Sequence, residues 1–327
     1  MTFRAIVVRE TPDGPAASLE QVDEDLLGTG DVEIAVEYSS LNYKDGLALA
    51  GKPGVIRSHP LIAGIDAVGS VTSSSHPDWT PGDRVTVNGW GIGENRPGGL
   101  SERIRVDPSW PVRLPNTIST RDAAAIGTAG FTAALAVNAL AGGGVGPEDG
   151  PVLVTGAVGG LGSIAVALLA ARGYRVVAST GRASEHDYLN NLGAAEIIDR
   201  AELAQAGKPL QSQRFAGVID SVGSTTLATA IAQTTYGGVV ASCGLAGGAD
   251  LPTTVMPFIL RAVTLIGINS VFAPAAPRAA AWELLDTHLD RAVLAGLTTE
   301  LTLAQAIPAA SDILAGRIRG RTVIAIG

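Results

Sequence analysis

A chain of 327 residues, 46% hydrophobic and 17% charged, has material for two folded domains and is too apolar to be disordered. Its 31 acidic and 23 basic residues leave a formal charge of −8 without any basic run, which excludes nucleic acid as a partner. A single cysteine excludes an intrachain disulfide and any Cys-rich metal site, and neither the opening MTFRAIVVRETPDG nor the apolar run from Ile164 to Ala171 reaches the length of a signal core or membrane span, so a cytoplasmic protein with no membrane partner is expected.

In chain order, residues 1 to 122 read as short strands separated by turns: FRAIVV, then DVEIAVEYS with period-2 alternation, then AVGSV and DRVTV. This stretch is expected to be a β domain. From Ala123 to residue 265 the texture changes to apolar strands alternating with Ala-rich helices: PVLVTG, SIAVALLAARG, YRVVAST, a polar helix ending at LGA, GVIDSVG and GGVVASCG. That order predicts a doubly wound parallel sheet, an α/β Rossmann domain. After TLIGINSV (264–271) come a helix near Ala279–Leu289 and a closing strand RTVIAIG, too short for a third domain, and the segment 266–327 is expected to return to the first. Cys243, in an apolar strand running into a glycine turn, reads as a core thiol.

Gly156, Gly159 and Gly162 in VLVTGAVGGLGS follow an apolar strand and open an amphipathic helix. Glycines there let backbone approach a pyrophosphate, and the helix N-terminus faces its charge. The spacing is GxxGxxG, so the strand–turn–helix context carries the assignment rather than the string. At the end of the second strand, where an NAD enzyme places Asp or Glu, the chain reads Ser179, Thr180, Gly181, Arg182. Small hydroxyls and a guanidinium suit the 2′-phosphate of NADPH, because Arg makes charge-assisted bonds to phosphate oxygens.

With these residues in hand, the sequence resembles the acrylyl-CoA reductase branch of the zinc-independent, quinone-oxidoreductase-like medium-chain dehydrogenases/reductases. The segments that carry the resemblance are SSLNYKD (39–45), GID (64–66), GWGIGEN (89–95), GTAGFTAAL (127–135), VTGAVGGLGS (154–163), TGR (180–182), YLNNLGA (188–194), CGLAGG (243–248) and LPTTVMPFILR (251–261). It implies a GroES-like β domain joined to the Rossmann domain. It also implies cofactor contacts from Tyr43, from Val158, Gly159, Gly160 and Leu161, from Thr180, Gly181 and Arg182, and from Arg200, Leu245, Ile259, Ser270 and Arg317. The family's usual Asp beside Ser270 is Asn269 here. Relatives pair across the sheet edge where TLIGINSV would lie, so a homodimer is expected.

The resemblance also sharpens the question of zinc. Where zinc-dependent relatives carry Gly-His-Glu, this chain has Gly64, Ile65 and Asp66, and His59, His76, His186 and His288 are scattered. Asp66 reads as a structural hydrogen-bonding residue. Without a Lewis acid, negative charge developing on a carbonyl oxygen needs hydrogen-bond donors, and reduction of a C=C conjugated to a thioester creates that charge as an enolate. Asn42 and Tyr43, just after the strand DVEIAVEYS, are the catalytic candidates, with a cofactor-positioning role for Tyr43 left open. Thr128 and Thr132 read as helix-capping residues. The expected activity is NADPH-dependent reduction of acryloyl-CoA to propanoyl-CoA. Reduction of quinones or enones, or NADPH binding without catalysis, are the alternatives.

Overall fold

The strand Val32–Leu41 alternates buried and part-exposed side chains over most of its length, and everything in the first half of the chain is arranged around it. The computed structural model describes residues 2–327, which gather into two units: residues up to Thr128 together with Leu294–Gly327, and Ala129–Val293. In the first unit Val32–Leu41 pairs antiparallel with Asp66–Ser74 on one side and with the closing strand Arg321–Ala325 on the other. The seven-stranded sheet is completed by Arg84–Asn88, Val112–Arg113, Thr298–Thr302 and Arg103–Val106. Phe3–Arg9, Ala16–Val22 and Leu61–Ile62 make a second sheet of three strands. The core between these elements is Val, Ile, Leu and Ala, among them Ile34, Val85, Ile104 and Ile324. The C-terminal strand Arg321–Ala325 belongs to the first unit.

The second unit is a six-stranded parallel sheet in the order Ala194–Asp199, Val176–Thr180, Val152–Val154, Phe215–Asp220, Thr234–Ser242, Thr264–Gly267. Val152–Val154, Val176–Thr180 and Phe215–Asp220 are buried along their whole length, as strands covered on both faces are. Chain order reverses between Val152–Val154 and Phe215–Asp220, which opens a crevice at their carboxyl ends.

Two expected boundaries move. The Rossmann unit ends at Val293 rather than 265, because Thr264–Gly267 is its sixth strand and the helix Ala275–His288 packs Trp282 on Phe131 with ring centroids 6.5 Å apart. It begins at Ala129 rather than 123 because the helix Thr120–Gly142 is broken at Gly127 (φ 49°, ψ −164°), and Thr128 beyond the break is bonded back into the first unit. By length and hydropathy that helix is long enough to cross a membrane, which Ile164–Ala171 is not. Its apolar window is 72% buried, as in the core helix of a folded domain.

Candidate active site

The phosphate cradle follows from three glycines with three different duties. Gly156 adopts φ +59°, a left-handed turn that side chains disfavour, immediately after Val152–Val154 and Thr155. Gly159 donates its amide to the Gly156 carbonyl at 2.9 Å and caps the helix Gly160–Ala171. A Cβ on Gly162 would strike the Gly156 carbonyl oxygen, so only glycine lets the helix settle onto the turn. Val158 is buried while Gly159, Gly160 and Leu161 are part-exposed, and the first turn of an α-helix leaves amides free to receive an anion. Ser163 fixes the helix by donating to the Ala157 carbonyl (3.2 Å) and accepting from the Tyr188 hydroxyl (2.8 Å).

The neighbouring strand ends carry the charge. Ser179 and Thr180 are buried, and Thr180 Oγ1 accepts the Arg182 amide at 3.1 Å. Arg200 directly follows Ala194–Asp199, whose Asp199 pairs in register with Thr180. The Arg200 side chain lies over Gly181 so closely that a Cβ there would come within 2.5 Å of Nε. Arg182 and Arg200 thus sit at adjacent strand ends, with no carboxylate on the second strand. The Asp199 carboxylate on the third accepts the Ala201 amide (2.8 Å) and caps the following turn. The glycine cradle and this basic corner fit a dinucleotide carrying a 2′-phosphate.

Other expected contacts distribute unevenly. Leu245 (62% exposed) follows Thr234–Ser242, and Ile259 (71% exposed) is on the short helix Met256–Arg261. Ser270 lies past Thr264–Gly267 with its carbonyl accepting from Arg278 at 3.4 Å. Asn269 Oδ1 accepts the amides of Val271 and Phe272, so the amide keeps the turn-capping role of a carboxylate without its charge. Arg317 belongs to the first unit and is paired with Asp312, Nε to Oδ1 at 2.9 Å. Cys243 is half-buried, and burial with the nearby Asp220 charge pushes its thiol up, away from the thiolate a nucleophile needs.

Asn42 requires a correction. Its side chain is buried, and Nδ2 donates to Asp66 Oδ2 (2.8 Å) and Asp45 Oδ2 (3.0 Å), while Oδ1 accepts from Arg321 Nη1 (3.0 Å). With donors and acceptor both engaged, Asn42 does not offer its amide to a substrate oxygen. It caps the helix Tyr43–Leu49, with Asp45 accepting the Asn42 backbone amide at 2.8 Å. Tyr43, the first helical residue, is 42% exposed. The buried partners Asp45, Asn88 and Arg321 went unread in the sequence, although Asn42-x-x-Asp45 is legible as a capping signature. Burial and the facing Asp66 charge push the Asp45 carboxyl up to about 7. Thr128 bonds Asp66 through both its amide (2.9 Å) and its hydroxyl (2.6 Å), consistent with a structural role.

These residues do not fit zinc. Asp66 is flanked by Ser40, Asn42, Asn88 and Thr128 and faces the Arg321 guanidinium at 4.0 Å. Among the described residues no group of three or more His, Cys, Asp or Glu is placed to hold a metal ion.

Comparison with known proteins gives two family matches, "Alcohol dehydrogenase GroES-like domain" over residues 28–116 and "Zinc-binding dehydrogenase" over 160–286. The second name does not extend to the ligand set just described. The probable acrylyl-CoA reductase AcuI of Escherichia coli K12 is 48% identical, covering 99% of this chain and all of its own. The acrylyl-CoA reductase AcuI of Ruegeria pomeroyi is 46% identical over 98% of each. Among solved structures, the yhdH oxidoreductase of Salmonella enterica in complex with NADP matches with a TM-score of 0.97 at 50% identity, covering 99% of this chain and all of that one. The Bacillus subtilis protein yhfP with NAD bound matches with a TM-score of 0.95 at 44% identity, covering both chains fully.

Proposed function

Because the chain belongs to the acrylyl-CoA reductase branch of the quinone-oxidoreductase-like medium-chain dehydrogenases/reductases, we propose that it uses NADPH to reduce the C=C bond of a short 2-enoyl-CoA, acryloyl-CoA to propanoyl-CoA. The observation that carries this reading is full-length likeness at 46% and 48% identity to relatives bearing that name. The corner formed by Ser179, Thr180, Gly181, Arg182 and Arg200 supports NADPH over NADH. When bound, NADPH would supply the hydride for the β-carbon, and a proton taken up from water at the α-carbon would complete the saturated thioester and leave NADP+. The cradle around Gly156, Gly159 and Gly162 would hold its pyrophosphate. Val158, Gly160, Leu161, Leu245, Ile259 and Ser270 would complete the cofactor's surroundings on the second unit. Tyr43 directs its hydroxyl at the thioester oxygen and stabilises the enolate as it forms.

Acyl-CoA brings several phosphates to an acidic protein, so local positive charge must receive them. Five basic residues of the first unit are candidates, and the structure sorts them. Lys44 is paired with Glu94 (2.9 Å), Arg84 donates to the carbonyls of Pro115 and Ile118, and Arg103 is held by Glu24 and Glu33. Arg96 donates to the Trp90 carbonyl (2.7 Å) and lies over Trp110. Arg57 alone of the five is exposed with no described side-chain partner, and its backbone amide is fixed to the Glu94 carbonyl (3.0 Å) beside Lys44. Arg57→Ala is expected to raise KM for acryloyl-CoA about 3- to 10-fold and to leave a small enone unaffected. A matching rise for the enone would detach Arg57 from CoA.

The reading as a whole is tested by NADPH oxidation with acryloyl-CoA, crotonyl-CoA, a simple enone and a quinone. Acryloyl-CoA is expected to give the highest kcat/KM. A quinone or enone reduced as efficiently would favour the alternative that a 44% identical relative from Bacillus subtilis, named a putative quinone oxidoreductase, keeps in view. NADPH binding without turnover of any of the four would make the protein a non-catalytic cofactor binder.

We also infer a homodimer. The edge strand Thr264–Gly267 has no partner on its outer side among the described residues, Phe272 nearby is 59% exposed, and a cavity of about 770 Å³ lined by Ile266, Ile268, Pro277 and Leu284 opens beside it. Light scattering should give twice the chain mass; 33.1 kDa would count against pairing.

A further inference from the structure

Beneath Tyr43 lies a set of buried polar groups that no step of the proposed reaction uses. Asp66 is fully buried and receives donors from four separate parts of the first unit. These are Ser40 near the end of Val32–Leu41, Asn42 at the helix cap, Asn88 at the end of Arg84–Asn88 (2.6 Å), and Thr128 beyond the break at Gly127. Arg321, 2% exposed, opens the closing strand and donates Nε to the Ala125 carbonyl (2.7 Å), Nη2 to Ser40 Oγ (2.8 Å) and Nη1 to Asn42 Oδ1.

The Asn42 amide is therefore held at both ends, by two carboxylates through Nδ2 and by a guanidinium through Oδ1. Turning it would set the amide oxygen against two carboxylates and the amide protons against a guanidinium, which is strongly unfavourable. Asn42 also sets the direction in which the helix begins: its backbone is extended at φ −109°, ψ 165°, and Tyr43 is the next residue. An apolar plug of the same volume would hold the sheet together at least as well as buried ions do. What a connected polar set adds is a single orientation for each member.

The geometry points to Asp66 as a positioning residue for Tyr43, acting through the Asn42 side chain with Arg321 as its buried counter-charge. The inference rests on the role given to Tyr43 above. It leaves the chemistry with Tyr43 and cofactor, and assigns to Asp66 the fixed angle from which the phenol is presented.

The test is a double-mutant cycle on the full-length protein with NADPH and acryloyl-CoA, or with whichever enone or quinone the unmodified protein reduces best. Asp66→Asn and Asn42→Ala are each expected to lower kcat about tenfold with KM for NADPH changed less than twofold. In the Tyr43→Phe background each should change kcat less than twofold. Equal fold-losses in both backgrounds would overturn the inference, as would a lowered melting temperature with kcat intact. Should Asp66→Asn fail to fold, Asn42→Ala severs the same link and leaves the remaining donors on Asp66. A second readout does not depend on turnover. In fluorotyrosine-labelled protein the Tyr43 resonance, assigned by its loss in Tyr43→Phe, is expected to move and broaden in Asn42→Ala. An unchanged resonance means that the buried set does not position Tyr43, whatever the substrate proves to be.

Discussion

Tyr43→Phe is expected to lower kcat for acryloyl-CoA by about 100- to 1000-fold, the range found when one donor to a developing oxyanion is removed. The substitution deletes one hydroxyl from a ring that is already 42% exposed, so stability should change by no more than about 0.5 kcal/mol. Engaged by Asp45, Asp66 and Arg321, the Asn42 amide does not stand in for the lost donor. The signature is a fall in kcat and kcat/KM together, because the interaction is made in the transition state and not on binding. If instead KM for NADPH rises and the rate at saturating cofactor is preserved, Tyr43 positions the cofactor and the enolate is stabilised elsewhere.

The second large effect belongs to the basic corner. Arg182→Ala and Arg200→Ala should each weaken NADPH binding about 10- to 100-fold and leave NADH within about twofold, since each removes a charge-assisted phosphate bond of about 1.5–3 kcal/mol. Arg200 is the more exacting case. Its side chain is laid over Gly181, so Gly181→Val should displace the guanidinium and mimic Arg200→Ala without touching a charge. Titration by cofactor fluorescence reads both. Equal affinity of the unmodified protein for NADH and NADPH would remove the basis of this assignment.

The corner and the cradle were legible in the sequence because their logic is local. Gly156, Gly159 and Gly162 act within one strand–turn–helix, and Ser179 to Arg182 within one strand end. Asn42 was misread for the opposite reason. It sits three residues from Asp45, a signal the sequence does show, but the partners that take its amide out of catalysis are Asp66, 24 residues away, and Arg321, 279 residues away. No period or spacing reports a bond of that length. The boundary expected at 265 failed similarly: a four-residue edge strand with half-buried side chains has little pattern, and the stack of Trp282 on Phe131 that ties the next helix to the Rossmann unit is visible only once folded.

The discontinuity of the first unit has a consequence for how the chain comes into being on the ribosome. The Rossmann unit is one uninterrupted stretch and can close as soon as Val293 has emerged. The β unit cannot, because for the interval between Val293 and Arg321–Ala325 its sheet lacks the strand that pairs with Val32–Leu41. At about 5–20 residues per second that interval is about 2–7 s, during which Asp66 and Asp45 have no cation to face and the edge of Val32–Leu41 that the closing strand will cover stays unpaired. The nascent β unit is thus the vulnerable half of the molecule, open to aggregation at its bare edge until Arg321 and its strand arrive.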